Sequence, residues 1–140
     1  MGSGQQSCPS PDAIMPLPRY YWVMPLIQVF TSAAAPAGEG QQALLGDLSR
    51  LLAAKFKKPE RWVMTCLLPD LAMTFGGTPA PAAFVAVKNI GKMTPGETSA
   101  LSGDICDRLA AALGIARDRI YVDFADAVGY QWGWNGETFG

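Results

Sequence analysis

Histidine is absent from the 140 residues, so no Ser-His-Asp or Cys-His arrangement and no histidine-based zinc site can be built. The three cysteines, Cys8, Cys66 and Cys106, are widely spaced, odd in number and free of any C-x-x-C. Reduced thiols in a cytoplasmic protein fit that pattern better than a disulfide framework. Lys55, Lys57 and Lys58 form one small basic cluster, whose ordinary role is to offset the dipole at a helix end. The unusual feature is "YYWVMPLIQVF", Tyr20 to Phe30, which sets Met24-Pro25 inside an otherwise strand-like run. Proline lacks the N–H that a ladder needs, so it belongs at an edge, a bulge or the first residue of a strand. Met24-Pro25 therefore reads as the start of a folded unit.

The elements that must position these residues follow from periodicity. Residues 1–23 are rich in Gly, Ser and Pro and end in Tyr20, Tyr21 and Trp22. Prolines at that spacing favour extended or turn conformations, so 1–23 is expected to be a leader, a tag or an attached segment, and 24–140 the domain. "PLIQVFT" is a short strand. In "GQQALLGDLSRLLAAKF", Leu44, Leu48, Leu51 and Leu52 share one helical face, and Pro59 ends the segment. "RWVMTCLL" and "AAFVAVKNI" are two further strands, separated by turns at Pro69-Asp70 and Gly76-Gly77. Thr94, Pro95 and Glu97 fit N-cap, N1 and N3 of a capping box. Leu101, Ile105, Leu109 and Leu113 then climb one stripe to Gly114, a helix stop. "DRIYVDF" is a last strand, and "YQWGWNGETF" closes the chain with aromatics and glycines. The order is β-α-β-β-α-β, an α+β fold: two similar units forming one four-stranded sheet with both helices on one face.

Composition narrows the function. A net charge of −1 gives no footprint for nucleic acid or an anionic membrane surface, and no run approaches the length of a membrane span. The prolines at 16, 18 and 25 interrupt the only N-terminal apolar stretch, which also lacks the basic start of a secretory signal. With 49% hydrophobic and only 16% charged residues, part of the apolar surface is expected to be covered by further copies of the chain.

Pro25 opening a strand, "LLPDLAMTFGG", "VKNIGKMTPGET", "DRIYVDF" and "WGWNGETF" occur in that order from Met24 to Gly140. Together they resemble the macrophage migration inhibitory factor (MIF) branch of the tautomerase superfamily. The resemblance implies a β-α-β-β-α-β subunit, a homotrimer, and active sites between neighbouring subunits. It also implies a keto–enol tautomerase of the phenylpyruvate or dopachrome kind, acting on small α-keto or enol carboxylates with no cofactor or metal. In that family the initiator methionine is removed and the exposed proline is the acid–base. A free prolyl nitrogen is a secondary amine, and an apolar pocket lowers its pKa from the usual 7.7–8.0, giving a base near neutrality without histidine. By the same resemblance Pro25 is catalytic and Lys58 meets the substrate carboxylate. The backbone of Ile90 faces the substrate, Tyr121 forms an aromatic wall, Trp134 and Phe139 make the hydrophobic mouth, and Trp132 is expected to crowd it.

Three departures bear on activity. Asp123 stands where mammalian-type members have asparagine, which puts a carboxylate near the site, able to repel an anionic substrate or favour the charged form of Pro25. Trp62 and Lys88 occupy pocket-lining positions by the same resemblance, so substrate preference need not follow the mammalian pattern. Ala82-Ala83-Phe84-Val85 replaces the C-x-x-C of some members, which excludes thiol–disulfide exchange by that route. In this sequence Pro25 also follows Met24 in a peptide bond, and an acylated proline is a non-basic amide. The alternative to an enzyme is thus a non-enzymatic trimer, a cytokine-like binding protein or an engineered scaffold, with a blocked proline.

Overall fold

The computed structural model describes residues 25–140; the expected leader at 1–23 and Met24 lie outside the described residues. The elements are β1 (Leu26–Thr31), α1 (Gly40–Phe56), β2 (Met64–Leu68), β3 (Ala83–Ile90), α2 (Pro95–Leu113), β4 (Ile120–Ala127), β5 (Gly133–Trp134) and β6 (Glu137–Thr138). The main sheet has the order β2-β1-β3-β4. β1 runs parallel to β2 and antiparallel to β3, and β3 runs parallel to β4, so each half is a β-α-β unit and the halves meet at β1–β3.

Alternation along the strands decides which face is covered. Ile27, Val29, Val85 and Val87 are fully buried and pack against Leu44, Leu48 and Leu52 of α1 and Leu101, Ile105 and Leu109 of α2. Thr31 is also inside, because its hydroxyl donates to Ala82 O at 2.8 Å and accepts from the Ala33 N–H at 3.0 Å. α1 ends at Lys57, which takes a left-handed conformation with φ 55° just before Pro59. α2 starts on the full capping box: Thr94 Oγ1 accepts from the Glu97 N–H at 3.1 Å, and Glu97 Oε1 accepts from the Thr94 N–H at 2.8 Å. Gly114, with φ 70°, ends it.

Two strand ends lie three residues from their expected places. β2 begins at Met64, and Glu60–Trp62 form a 3-10 turn instead of its first residues. The chain must turn after Pro59, and it meets the sheet at the carbonyl of Pro25, just before β1, which accepts from the Met64 N–H at 3.1 Å. β4 continues past Phe124 to Ala127 because β3 extends alongside it, pairing Ile90 with Ala127.

The helix-free face of the sheet keeps large apolar groups in the open: Met64, Phe84 and Tyr121, the last 67% exposed. Beside Tyr121, one side chain reaches four carbonyls of the 69–82 loop. Arg119 donates to the carbonyls of Pro81 and Ala80 at 2.9 Å, Thr78 at 3.1 Å and Phe75 at 3.3 Å, and covers the Phe75 ring at 5.4 Å. Phe75 in turn rests on Tyr121, centroids 4.9 Å apart. Arg119→Ala is expected to cost about 1–2 kcal/mol, read as a fall of several degrees in Tm. Arg119→Lys should recover little of it, since one ammonium cannot span four carbonyls. An unchanged Tm for both would remove Arg119 as the anchor of the loop.

Candidate active site

Pro25 is buried at the entry to β1. On one side its carbonyl is held by Met64 of β2. On the other, the antiparallel register that pairs Leu26 with Lys88 puts Asn89 opposite Pro25, one step further on. Lys58 arrives from the end of α1. The left-handed turn at Lys57 and the rigid Pro59 aim it back over the sheet end, where its ammonium approaches Ile90 O at 3.4 Å. Burial of its stem and head pushes the Lys58 pKa below its ordinary value. Of the basic cluster, only Lys58 therefore points into the site; Lys55 pairs with Asp104 at 3.1 Å on the surface.

The mouth is aromatic. Trp62 and Trp134 meet edge to face with centroids 4.9 Å apart, and Trp134 stacks on Phe139 at 6.2 Å and 15°. Ile90 and Phe139 are buried, with Leu26, Trp62, Ala127 and Trp132 packed around them. The C-terminal segment is tied in place by the Phe139 N–H, which is shared between Gly129 O and Trp132 O. Trp134 reaches the mouth on a two-residue hairpin whose tip, Asn135 and Gly136, has φ 52° and 80°. An Asn-Gly tip is the sequence signal for such a turn. Arg61 lies over Trp62 at 5.7 Å, and Lys88 is exposed on the helix-free face.

Tyr121 and Asp123 are elsewhere in the same chain. Tyr121 pairs with Phe84, itself opposite Phe30, and Asp123 pairs with Ala86, opposite Gln28. At a rise of about 3.3 Å per residue, those positions are roughly 17 Å and 10 Å along the sheet from Pro25. They also point to the helix-free face, whereas Pro25 alternates with Ile27 and Val29. A cleft of about 230 Å³ beside Tyr121 is lined by Phe75, Phe84 and Ala82 among others.

Among the described residues, three buried side-chain atoms lack a hydrogen-bond partner: Trp62 Nε1, Asn89 Oδ1 and Arg108 Nε. Arg108 Nε has an ionic partner, Asp47 Oδ2 at 3.1 Å, on the far side of the helices. The other two, one donor and one acceptor, both lie at the Pro25 end of the sheet. Asn89 was not among the residues the sequence singled out, although it is the one polar residue on the inward face of "AFVAVKN". No group of His, Cys, Asp and Glu among the described residues is placed to hold a metal, and no helix among them is long and apolar enough to cross a membrane.

The lowered Lys58 pKa has a consequence for stability. Between that value and the ordinary lysine value of 10.5, the unfolded chain binds the proton that the folded chain has released, so stability rises with pH across this window. Denaturant midpoints at pH 8 and pH 10 should therefore show a gain for the native chain that Lys58→Met lacks, tyrosine ionisation cancelling between the two. An equal pH response in both would contradict a desolvated Lys58.

A family profile described as Macrophage migration inhibitory factor (MIF) matches residues 24–140. The macrophage migration inhibitory factor of Meriones unguiculatus is 34% identical over 116 residues, covering 83% of this chain and 99% of that protein. Its Xenopus tropicalis counterpart is 35% identical over 96 residues, covering 69% and 84%. Among solved structures, a macrophage migration inhibitory factor homologue from Prochlorococcus marinus superposes with a TM-score of 0.77 at 42% identity, covering 82% of this chain and 99% of that one. The Toxoplasma gondii macrophage migration inhibitory factor gives a TM-score of 0.77 at 29% identity, covering 81% and 99%.

Proposed function

This chain belongs to the macrophage migration inhibitory factor family of the tautomerase superfamily, and from that premise we propose that it is a keto–enol tautomerase whose acid–base is the free amine of Pro25. One observation carries the reading: a buried proline stands at the entry to β1 with a desolvated lysine and an aromatic mouth around it. The substrate class is a small α-keto or enol carboxylate bearing a planar apolar group. Lys58 takes the carboxylate, beside the backbone of Ile90, and Trp134 and Phe139 enclose the apolar group, with Trp132 behind them. The Pro25 amine removes a proton from the carbon next to the carbonyl. The C–H electron pair becomes the C=C bond, and the carbonyl oxygen gains the charge and then a proton, giving the enol. In the reverse direction the prolyl ammonium returns its proton to that carbon. An apolar surround favours the neutral amine and keeps this base available near neutrality.

The reading includes a homotrimer in a reducing, cytoplasmic setting. Its support is the open apolar face at Met64, Phe84 and Tyr121 together with the 10–17 Å separation above. A neighbouring copy is the economical source of Tyr121 and Asp123 for each Pro25. Sedimentation at micromolar concentration should give three chains per particle; monomers alone would defeat it. The activity itself is tested by following ketonisation of an aryl enol acid with protein that begins at Pro25. No rate above solvent would defeat the enzyme reading. A second reading, a cytokine-like or scaffold trimer without activity, is favoured by one feature, the Met24-Pro25 peptide bond of the sequence as written.

A further inference from the structure

We infer that Asn89 is a positioning residue for Pro25: its side-chain carbonyl accepts a hydrogen bond from the prolyl ammonium once that nitrogen is free. The side chain is 5% exposed, and its Oδ1 is buried with no donor among the described residues. Such an orphan is uncommon in a folded protein and points to a partner that is not yet in place. The β1–β3 register, extended one step past Leu26–Lys88, makes Asn89 the residue across from Pro25. Both alternate with buried neighbours, Ile27 on β1 and Val87 on β3, so they share the inward face, where cross-strand Cβ atoms are about 4.5–5.5 Å apart.

The chemistry completes the match. Proline in a peptide bond has no N–H, so Asn89 has nothing to accept from in that state. A free prolyl ammonium has two N–H donors, and one of them satisfies Oδ1. The bond favours the charged form, so it holds a proton on Pro25 that burial alone would shed. It also fixes the direction of that hydrogen, leaving the second one for the substrate carbon.

Other charged groups near the site do not duplicate this role. Lys58 opposes the ammonium by like charge. Asp126, beside Asn89 in the β3–β4 register, already accepts from the Met93 N–H at 3.0 Å. Lys88 projects to the opposite face, Glu60 and Arg61 are exposed on the turn before β2, and Glu137 is exposed on β6. In the proposed trimer, Asp123 of a neighbouring copy adds a negative charge that is the same in every Asn89 variant.

The inference rests on the proposed function only in taking Pro25 as free, and its test does not use activity. Protein beginning at Pro25 and carrying 15N-proline is titrated by NMR, following the Pro25 nitrogen. Relative to wild type, Asn89→Leu should lower the midpoint by about one pH unit, as expected for losing one charge-assisted hydrogen bond, and Asn89→Asp should raise it. In wild type alone, the Asn89 side-chain amide signals should move in step with Pro25, which covers the case of a variant that fails to fold. Amide signals that ignore the Pro25 titration, or equal midpoints in folded wild type and Asn89→Leu, overturn the inference. Coupled titration in a protein without tautomerase activity would leave it standing and defeat the enzyme reading instead.

Discussion

Protein that begins at Pro25 is expected to ketonise an aryl enol acid at least 10³-fold faster than the same protein extended by the single residue Met24. The extension changes one nitrogen from a basic secondary amine to a tertiary amide that neither takes nor gives a proton. It leaves Lys58, Ile90 and the aromatic mouth in place, so substrate binding should survive while turnover is lost. Pro25→Gly, with its N-terminus exposed, separates basicity from shape. It keeps an amine but loses the ring that fills the buried start of β1, and intermediate activity is expected. Intact mass must accompany each rate, since a trace of trimmed protein would imitate activity in the extended form. Equal rates for the extended and Pro25-initiated proteins would mean that Pro25 is not the base.

The second large effect falls on Lys58. Lys58→Ala should lower kcat/KM for carboxylate substrates by about 10- to 100-fold, chiefly through KM, because a contact made equally in ground and transition states is uniform binding. The desolvation that lowers the Lys58 pKa is also what makes a substrate anion a strong partner there: little water competes for the ammonium. A neutral enol analogue of the same shape should lose little. Equal losses for acid and neutral analogue would assign Lys58 to the architecture of the sheet end and not to the carboxylate.

Much of the fold is legible from local rules. Leucines at helical spacing locate α1 and α2, and Thr94 with Glu97 makes the capping box that the sequence pattern announces. Alternation in "LIQVFT" and "AFVAVKNI" places Ile27, Val29, Val85 and Val87 inside. What escapes local rules depends on a partner strand. The start of β2 is set by where Pro25 O stands, and the end of β4 by the length of β3. The C-terminal aromatics are recognisable as a group, but their joining into a hairpin over Ile90 is a tertiary result.

The candidate site divides in the same way. Pro25, Lys58, Ile90, Trp132, Trp134 and Phe139 share one end of the sheet, as their resemblance to family positions implies. Tyr121 and Asp123 carry the same resemblance but lie farther along the sheet on its helix-free face, so their place at the site belongs to the proposed trimer. Asn89 illustrates the opposite case. A polar residue on an inward strand face is visible in the sequence, but its meaning depends on the cross-strand register that sets it opposite Pro25.

In the proposed mechanism the Pro25 nitrogen carries the proton that moves during tautomerisation. Two titrations of the Pro25-initiated protein set side by side test this, the 15N shift of Pro25 and the pH dependence of kcat/KM. One shared midpoint is expected in the free protein, moving together in both when Asn89 is replaced by aspartate. A Pro25 titration that leaves the rate profile untouched, or a rate profile governed by a group that titrates elsewhere, would contradict it.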